Sequence, residues 1–418
     1  MDQERTIFHI DVNSAFLSWS AVEALRKDPD AVDLRDIPSA VTGDRSSRHG
    51  IILAKSIPAK PYGVQTGEPT AAALRKCPDL VLVPPDFAVY NRSSKAFIAV
   101  LKKYAPVVEQ VSVDEAFCDF TGTRKLYGDP LTLARTIRDE IRTELGFTVN
   151  VGISTNKFLA KMASDFKKPD MTHTLYPDEI PEKMWPLPIG DLYGVGKATA
   201  ARLIDMKIMT VGQAAHTEPA LLKKVFGDKG GDAIYRAANG LDDSPVRAER
   251  DAEQSYGNST TLSEDLTAQN RDPLLRQTLL ALSDSVGYRM RRDGKKGRTV
   301  AVQLRTSDFK NHSRQTQLEE ATDSTAVIFD TAVELFDRLW NGRTPVRLIG
   351  VTVSGLREEE AVQLSLFSDP AEEAKKEKQR KLDLMSDEIR RSFGKQALVR
   401  GSLLNDPAKR RIGEKQES

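Results

Sequence analysis

"QVSVDEAFCDF", residues 110 to 120, is a β-branched and aromatic run of the kind that forms a buried strand, yet Asp114 and Glu115 stand side by side at its centre. An unpaired buried carboxylate is costly, and two neighbours also repel each other, so the pair calls for positive charge nearby. Successive strand residues point to opposite faces, so both acids can share one ligand only where the chain turns. The stretch is therefore expected as two short strands, 107 to 113 and 116 to 120, with the acids at their junction. The plain alternative is a strand that reaches solvent here and wets both acids.

Upstream, "TIFHIDVNSAF" (6–16) begins as a strand and turns polar before the helical "AFLSWSAVEALRKD", whose Phe16, Trp19, Val22 and Leu25 share one face. Asp11 thus falls at a strand end. Residues 27–85 are punctuated by Pro29, Pro38, Pro58, Pro61, Pro69, Pro78 and Pro84-Pro85, which marks a small compact insertion. The larger unit resumes with the amphipathic "YNRSSKAFIAVLKKYAP" and the carboxylate hairpin. It continues with a helix at 130–145, a strand "FTVNVGIS" and a helix "NKFLAKMASDFKK", an α+β mixture.

Beyond Pro169 the pattern is helical. In "LYGVGKATAARL", Gly194 and Gly196 make a tight turn ahead of the helix opened by Lys197, a phosphate-binding device of helix-hairpin-helix type or simply a connection. The polar, charged "GLDDSPVRAERDA" (240–252) reads as a linker. Residues 253–356 read as strand, helix, two strands, helix, strand. Within them "RMRRDGKKGR" (289–298), with Arg289, Arg291 and Arg292, is either a phosphate-binding run or a solvated helix end. The tail, 368–418, suggests a solvent-facing helix with a thin apolar stripe, followed by disorder.

With 418 residues, three or four units are expected. Lys+Arg 61 against Asp+Glu 60 identifies no partner by net charge. Two cysteines, Cys77 and Cys118, and an acidic opening "MDQER" point away from secretion and disulfides, to a reducing cytoplasm. No apolar run approaches the roughly 20 residues of a membrane helix. No Cys/His cluster has zinc spacing, and the scattered histidines suggest no His-based site.

Asp11, Asp114 and Glu115 form an all-oxygen donor set. Such a set suits Mg²⁺, which prefers carboxylates and leaves coordination positions for water and substrate phosphates. Two Mg²⁺ ions about 4 Å apart can activate a 3′-hydroxyl and steady a leaving pyrophosphate. Cations would also offset the repulsion between the acids.

Together these residues resemble the Y-family translesion DNA polymerases, of the DinB (polymerase IV) and UmuC kind. "HIDVNSAFLSWS", "VSVDEAFCDF" and "VGISTNKFLAKMASDFKKP" are similar to the family's three polymerase motifs, in order and suitably spaced, and the likeness runs from about residue 5 to 356. It implies a right-hand α+β polymerase with palm (1–14 and 86–170), small fingers (15–85), helical thumb (171–239), linker (240–252) and a C-terminal little finger (253–356). It implies low-fidelity, template-directed transfer from a dNTP to a primer 3′-OH on primer-template DNA, with two Mg²⁺ per active site. Asp11, Asp114 and the Val12 backbone carbonyl become metal ligands, and Glu115 binds the catalytic metal. Phe16 becomes the steric gate that overlaps a ribose 2′-hydroxyl, while Lys168 and Lys60 contact the triphosphate. Gly194, Gly196, Lys197, Arg289, Arg291 and Arg292 become DNA-backbone contacts.

Two departures stand out. In "IPAKPYGV", Ile57 and Lys60 replace the Tyr and Arg of many relatives, so Lys60 supplies charge without the bidentate fork. The small Ser14-Ala15 pair before the gate also differs from bulkier versions. Finally, "QLSLF" (363–367) resembles the bacterial sliding-clamp pentapeptide, with Gln363 at the pocket rim and Leu364, Leu366 and Phe367 as the apolar part. A monomer in the bacterial cytoplasm, associated with the nucleoid, follows. The rivals are a catalytically silent relative acting in a mutagenesis complex, and a nucleotidyl cyclase sharing palm-like chemistry.

Overall fold

A strand buried at every position must find hydrogen-bonding neighbours along both edges. Ile7–Val12 (β1) is such a strand, and the computed structural model supplies both neighbours. It describes residues 5–43, 50–249, 252–358, 370–394 and 397–398; "QLSLF" at 363–367 lies outside them. The chain divides into two compact units, which meet in sequence at residues 250–251.

The first unit is built on a five-stranded sheet in the order β5 (Val107–Gln110), β6 (Glu115–Asp119), β1, β7 (Val149–Ser154), β8 (Thr172–Thr174). All pairs are antiparallel except β7–β8. Alternation splits β1 cleanly. Phe8, Ile10 and Val12 join Phe97 and Leu101 of α3 (Phe87–Tyr104) and Ile137 of α5 (Pro130–Glu140) in the main core. Ile7 packs on the other face with Ala160 of α6 (Lys157–Ser164), which leaves His9 and Asp11 on that side. The short α4 (Arg124–Tyr127) precedes α5.

Contact between α6 and the sheet depends on Gly152 of β7. A Cβ there would lie 2.0 Å from the Ala160 carbonyl oxygen and 2.4 Å from the Ser164 nitrogen, so only glycine lets the helix backbone come this close.

The proline-punctuated insertion follows α1 (Ala15–Lys27). It forms a small sheet in the order β3 (Ile52–Lys55), β2 (Ser39–Thr42), β4 (Val81–Val83) with α2 (Thr70–Lys76), around Ala40, Ile52, Val64, Ala73 and Leu80. After β8 come α7 (Ile180–Lys183), α8 (Lys197–Asp205), α9 (Val211–Ala215) and α10 (Pro219–Ala238), packed around Leu192, Leu203, Val211, Leu222 and Ile234. The stretch read as a linker is anchored at its start: Val246 is buried with Ile7, Phe117 and Ala160, and Arg5 donates to the Ser244 carbonyl oxygen at 2.9 Å. Its apolar content is low, so hydrogen bonds to backbone and carboxylate groups add to the contact made by Val246.

The second unit follows the expected order of elements: β9 (Ser255–Leu266), α11 (Arg271–Arg292), β10 (Lys295–Thr306), β11 (Asn311–Thr322), α12 (Thr325–Leu339), β12 (Val346–Glu358). The sheet, ordered β11-β10-β12-β9, packs one face on both helices through Val300, Val302, Ile349, Val351, Leu279 and Phe336. Its opposite face presents polar residues in register, among them Ser255, Ser354, Thr299 and Gln317 across the four strands.

The tail helix α13 (Pro370–Phe393) has its expected polarity reversed. Leu382, Leu384, Met385 and Phe393 are exposed, while Asp383 and Asp387 are 2% and 4% exposed. The reason is Arg291 in the last turn of α11. Its Nε lies 2.6 Å from Asp387 Oδ2, its Nη1 donates to the Asp323 carbonyl oxygen at 2.7 Å, and Asp383 Oδ2 accepts the Thr325 N–H that opens α12. Removing one partner from such a buried pair costs about 3–5 kcal/mol.

Candidate active site

Register places the acids. Asp11 stands directly opposite Glu115 across the β1–β6 ladder and opposite Asn150 across β1–β7. The hairpin before Glu115 closes through Val111 N–H and Ser112 N–H donating to the Glu115 carbonyl oxygen, at 3.0 and 3.3 Å. Asp114 therefore sits in the turn, and Val12 N–H donates to its carbonyl at 3.0 Å. The expected junction exists, with β5 ending earlier, at Gln110, and Glu115 already inside β6.

The three acids do not converge. Ser112 Oγ donates to Asp114 Oδ1 at 2.6 Å and accepts the Asp114 and Glu115 N–H groups, which turns the Asp114 carboxylate toward its own loop. Among the described residues, no three acidic, histidine or cysteine side chains form a metal-binding cluster.

Each of the two facing acids instead has an ammonium. Lys161 Nζ of α6 lies 2.7 Å from Glu115 Oε1. Lys168 bonds Asp11 and stands 2.9 Å from Asp165 Oδ1. Burial pushes Asp11 up to about 6, against the pull of Lys168. Glu115 is held down to about 2 by the His9 imidazole and by Lys161, against burial. Burial also lowers the pKa of His9, so the ring is neutral at pH 7 and the formal charge beside Glu115 belongs to Lys161.

His9 is fully buried. Ser164 Oγ lies 2.8 Å from the Lys161 carbonyl oxygen and 2.7 Å from His9 Nδ1, so it joins the ring to α6. Nε2 is left without a hydrogen-bond partner, 3.7 Å from Glu115 Oε2. Two carboxylates facing each other across the ladder suit positive charge. Hard carboxylate oxygens fit a divalent cation, which Asp11 and Glu115 would hold.

Phe16 enters α1 five residues after Asp11, behind Ser14 in the left-handed region (φ 47°). Its ring stacks on Tyr90 with centroids 4.5 Å apart and planes 15° apart, and the Tyr90 hydroxyl is 3.0 Å from Ser20 Oγ. Lys60 is exposed on a turn closed by its own N–H to the Ile57 carbonyl. Its charge lies close enough to Lys55 to help lower the pKa of that lysine, after burial, so the insertion carries a cationic patch.

Gly194 (φ +89°) and Gly196 face open space, and α8 begins at exposed Lys197. The basic run has partners within its own unit. Arg291 is consumed in the α13 network, Arg289 donates to the Gly257 carbonyl at 2.7 Å, and Arg292 pairs with Asp293 at 2.8 Å. Local sequence hides this, since the acids that claim Arg291 arrive about a hundred residues later.

Missed from sequence were Lys161, His9, Ser112 and Tyr90. Ser112 alone carried a local signal, being two residues before the acidic pair.

Comparison with known proteins gives a consistent picture. The family model described as impB/mucB/samB matches residues 10–165, its C-terminal domain matches 253–366, and the helix-hairpin-helix motif of the same family matches 177–208. The chain is 42% identical to DNA polymerase IV of Clostridium acetobutylicum, over 97% of this chain and 100% of that protein. It is 37% identical to DNA polymerase IV 1 of Bacillus subtilis, over 96% and 94%. Among solved structures, a Y-family DNA polymerase chimera superposes with a TM-score of 0.70 at 24% identity, covering 85% of this chain and all of the other.

Proposed function

Because the chain belongs to the impB/mucB/samB family of Y-family DNA polymerases, we propose that its β1–β6 acid pair is the centre of nucleotidyl transfer in translesion synthesis. The chain is a template-directed DNA polymerase acting on primer-template DNA and dNTPs, with a divalent metal as cofactor. In this reading the metal is Mg²⁺, two ions per site. The observation that carries the assignment is the register of Asp11 opposite Glu115.

The five-stranded sheet is the palm, the proline-punctuated insertion the fingers, α7–α10 the thumb and the second unit the little finger, within the boundaries given above. Asp11, Glu115 and the Val12 carbonyl would hold the cations, and Asp114 would join them once released from Ser112. A divalent cation held there would supply Lewis-acid polarisation of the phosphate oxygens and of the primer hydroxyl. Lys168, poised on Asp11, neutralises the incoming triphosphate together with Lys60. Phe16, braced by Tyr90, excludes a 2′-hydroxyl by contact.

The turn at Gly194–Lys197 offers backbone N–H groups to DNA phosphates. The polar outer face of the second sheet, which carries Gln303, Arg305 and Gln317, offers donors to a duplex backbone, so contact is salt-sensitive. Among the described residues no helix is long and apolar enough to cross a membrane. Gln363, Leu364, Leu366 and Phe367 tether the enzyme, a monomer of the bacterial cytoplasm and nucleoid, to the sliding clamp.

Primer extension on undamaged and lesion-bearing templates, with and without Mg²⁺ and sliding clamp, tests this as a set. Extension past the lesion, lost without metal and stimulated by clamp, is expected. Absence of any primer-dependent incorporation would defeat the polymerase reading, and indifference to clamp would defeat the tether.

A further inference from the structure

Residues 240–247 make contacts that lead to the acid pair. Asp242 Oδ2 accepts the Phe158 N–H at 3.1 Å, and Asn156, the N-cap of α6, donates its side-chain amide to the Gly240 carbonyl at 2.8 Å. The first turn of α6 is thus held by this strap. Arg247 N–H donates to Glu109 Oε2 at 2.8 Å, and the same carboxylate takes Lys157 Nζ at 2.7 and 2.8 Å. Val246 fills the space between, against Phe117 and Ala160. Gly240 (φ +66°) passes so near α6 that a Cβ would come within 2.8 Å of Leu159 Cδ2.

The two elements gripped are the ones that meet at Glu115. One turn beyond Lys157, α6 carries Lys161, whose ammonium contacts Glu115 Oε1. Glu109 lies on β5, paired with β6 through Glu109 opposite Phe117 and Gln110 opposite Ala116, and β6 opens at Glu115. Strap, α6, Lys161, Glu115, β6 and β5 therefore form a closed loop of contacts. Loosening the strap frees α6 to shift against β6.

We propose that the strap 240–247 positions the catalytic centre: Asp242 and Glu109 tie α6 to β5 and so fix Lys161 against Glu115. The connection between the two units then has a second role, because its first half acts on the chemistry while its second half leads to the DNA-binding unit. This inference rests on the polymerase reading of the site. Asp242 and Glu109 are positioning residues, acting through Lys157, α6 and Lys161.

The test uses the full chain and single-nucleotide incorporation, read as the maximal rate, the nucleotide concentration at half that rate, and primer-template Kd. Hydrogen exchange of a peptide spanning 156–164 is followed in parallel. Asp242→Ala should lower the maximal rate about tenfold, the lower end for a residue supporting a metal ligand. Primer-template Kd and half-rate concentration should stay within about twofold, and exchange at 156–164 should accelerate. Asp242→Asn keeps one acceptor oxygen for Phe158 N–H and should recover most of the lost rate. Glu109→Gln, which keeps an acceptor for Arg247 but loses the ion pair to Lys157, should fall between the two.

Faster exchange in Asp242→Ala with an unchanged maximal rate would overturn the proposal, as would a loss confined to DNA affinity or one that Asn does not relieve. Should Asp242→Ala fail to accumulate, Asp242→Asn and Glu109→Gln decide, and wild-type rates in both would overturn it. An inactive wild-type chain in the same assay would instead count against the polymerase reading.

Discussion

Replacing Gly152 by alanine should damage catalysis without touching any acid. The added Cβ would lie 2.0 Å from the Ala160 carbonyl oxygen and 2.4 Å from the Ser164 nitrogen, whereas ordinary contact begins at 3.4 Å. Both atoms belong to helix backbone and cannot swing away, so α6 and β7 must separate by about 1.4 Å, the difference of the first and last distances. Lys161 lies between these two residues, and Ser164 holds His9. The displacement therefore reaches both contacts that set Glu115. A misplacement of about 1 Å costs on the order of 10²-fold in rate, so single-turnover incorporation should fall by roughly that factor. Overpacking should destabilise by about 1–3 kcal/mol, lowering Tm by roughly 2–12 °C. A folded Gly152→Ala chain with the shifted Tm but wild-type incorporation would refute the coupling of α6 to the acid pair.

Phe16→Ala should admit ribonucleotides, measured as the ratio of kcat/KM for dNTP and rNTP, and should forfeit about 0.5–1.5 kcal/mol of stacking on Tyr90; unchanged sugar discrimination would remove Phe16 from the gate. The pH dependence of stability in chelator should carry two opposite signatures. Asp11 is raised to about 6, so across roughly pH 4–6 the folded chain keeps a proton that the unfolded chain has lost, and its contribution falls as pH rises. Glu115 is lowered to about 2, so between there and its ordinary range its contribution rises with pH. Asp11→Asn should erase the first slope, on the order of 3 kcal/mol in total, and a wild-type-to-variant difference that is flat from pH 4 to 7 would contradict the buried, raised carboxyl.

Much of this architecture could be read from local pattern, because β1 and β6 are apolar runs interrupted only by His9 and by their acids, and α1 and α3 repeat with helical period. The second unit declared itself through strand-length alternation and two amphipathic helices. The site was legible only where a residue's role depends on its own strand. Lys161 looks like any solvated helix lysine, and its burial arises from Gly152 letting α6 approach the sheet. His9 alternates with core residues, and its unpartnered nitrogen emerges only once Ser164 folds over it. Arg291 seemed a surface cation until Asp383 and Asp387 arrived from the tail, and the charged linker became a strap because Glu109 and the start of α6 offered it partners. For His9, Arg291 and the strap the deciding partner is far away in sequence, and for Lys161 it sits on the neighbouring strand.

The most direct measurement compares wild type with Glu115→Gln and Asp11→Asn for single-nucleotide addition in Mg²⁺, alongside primer-template affinity by fluorescence anisotropy. If the facing carboxylates perform the transfer, addition drops by about 10³-fold or more, a loss of roughly 4 kcal/mol of transition-state stabilisation, while affinity for primer-template is retained. Addition at the wild-type rate by either variant would contradict the assignment of the chemistry to this pair.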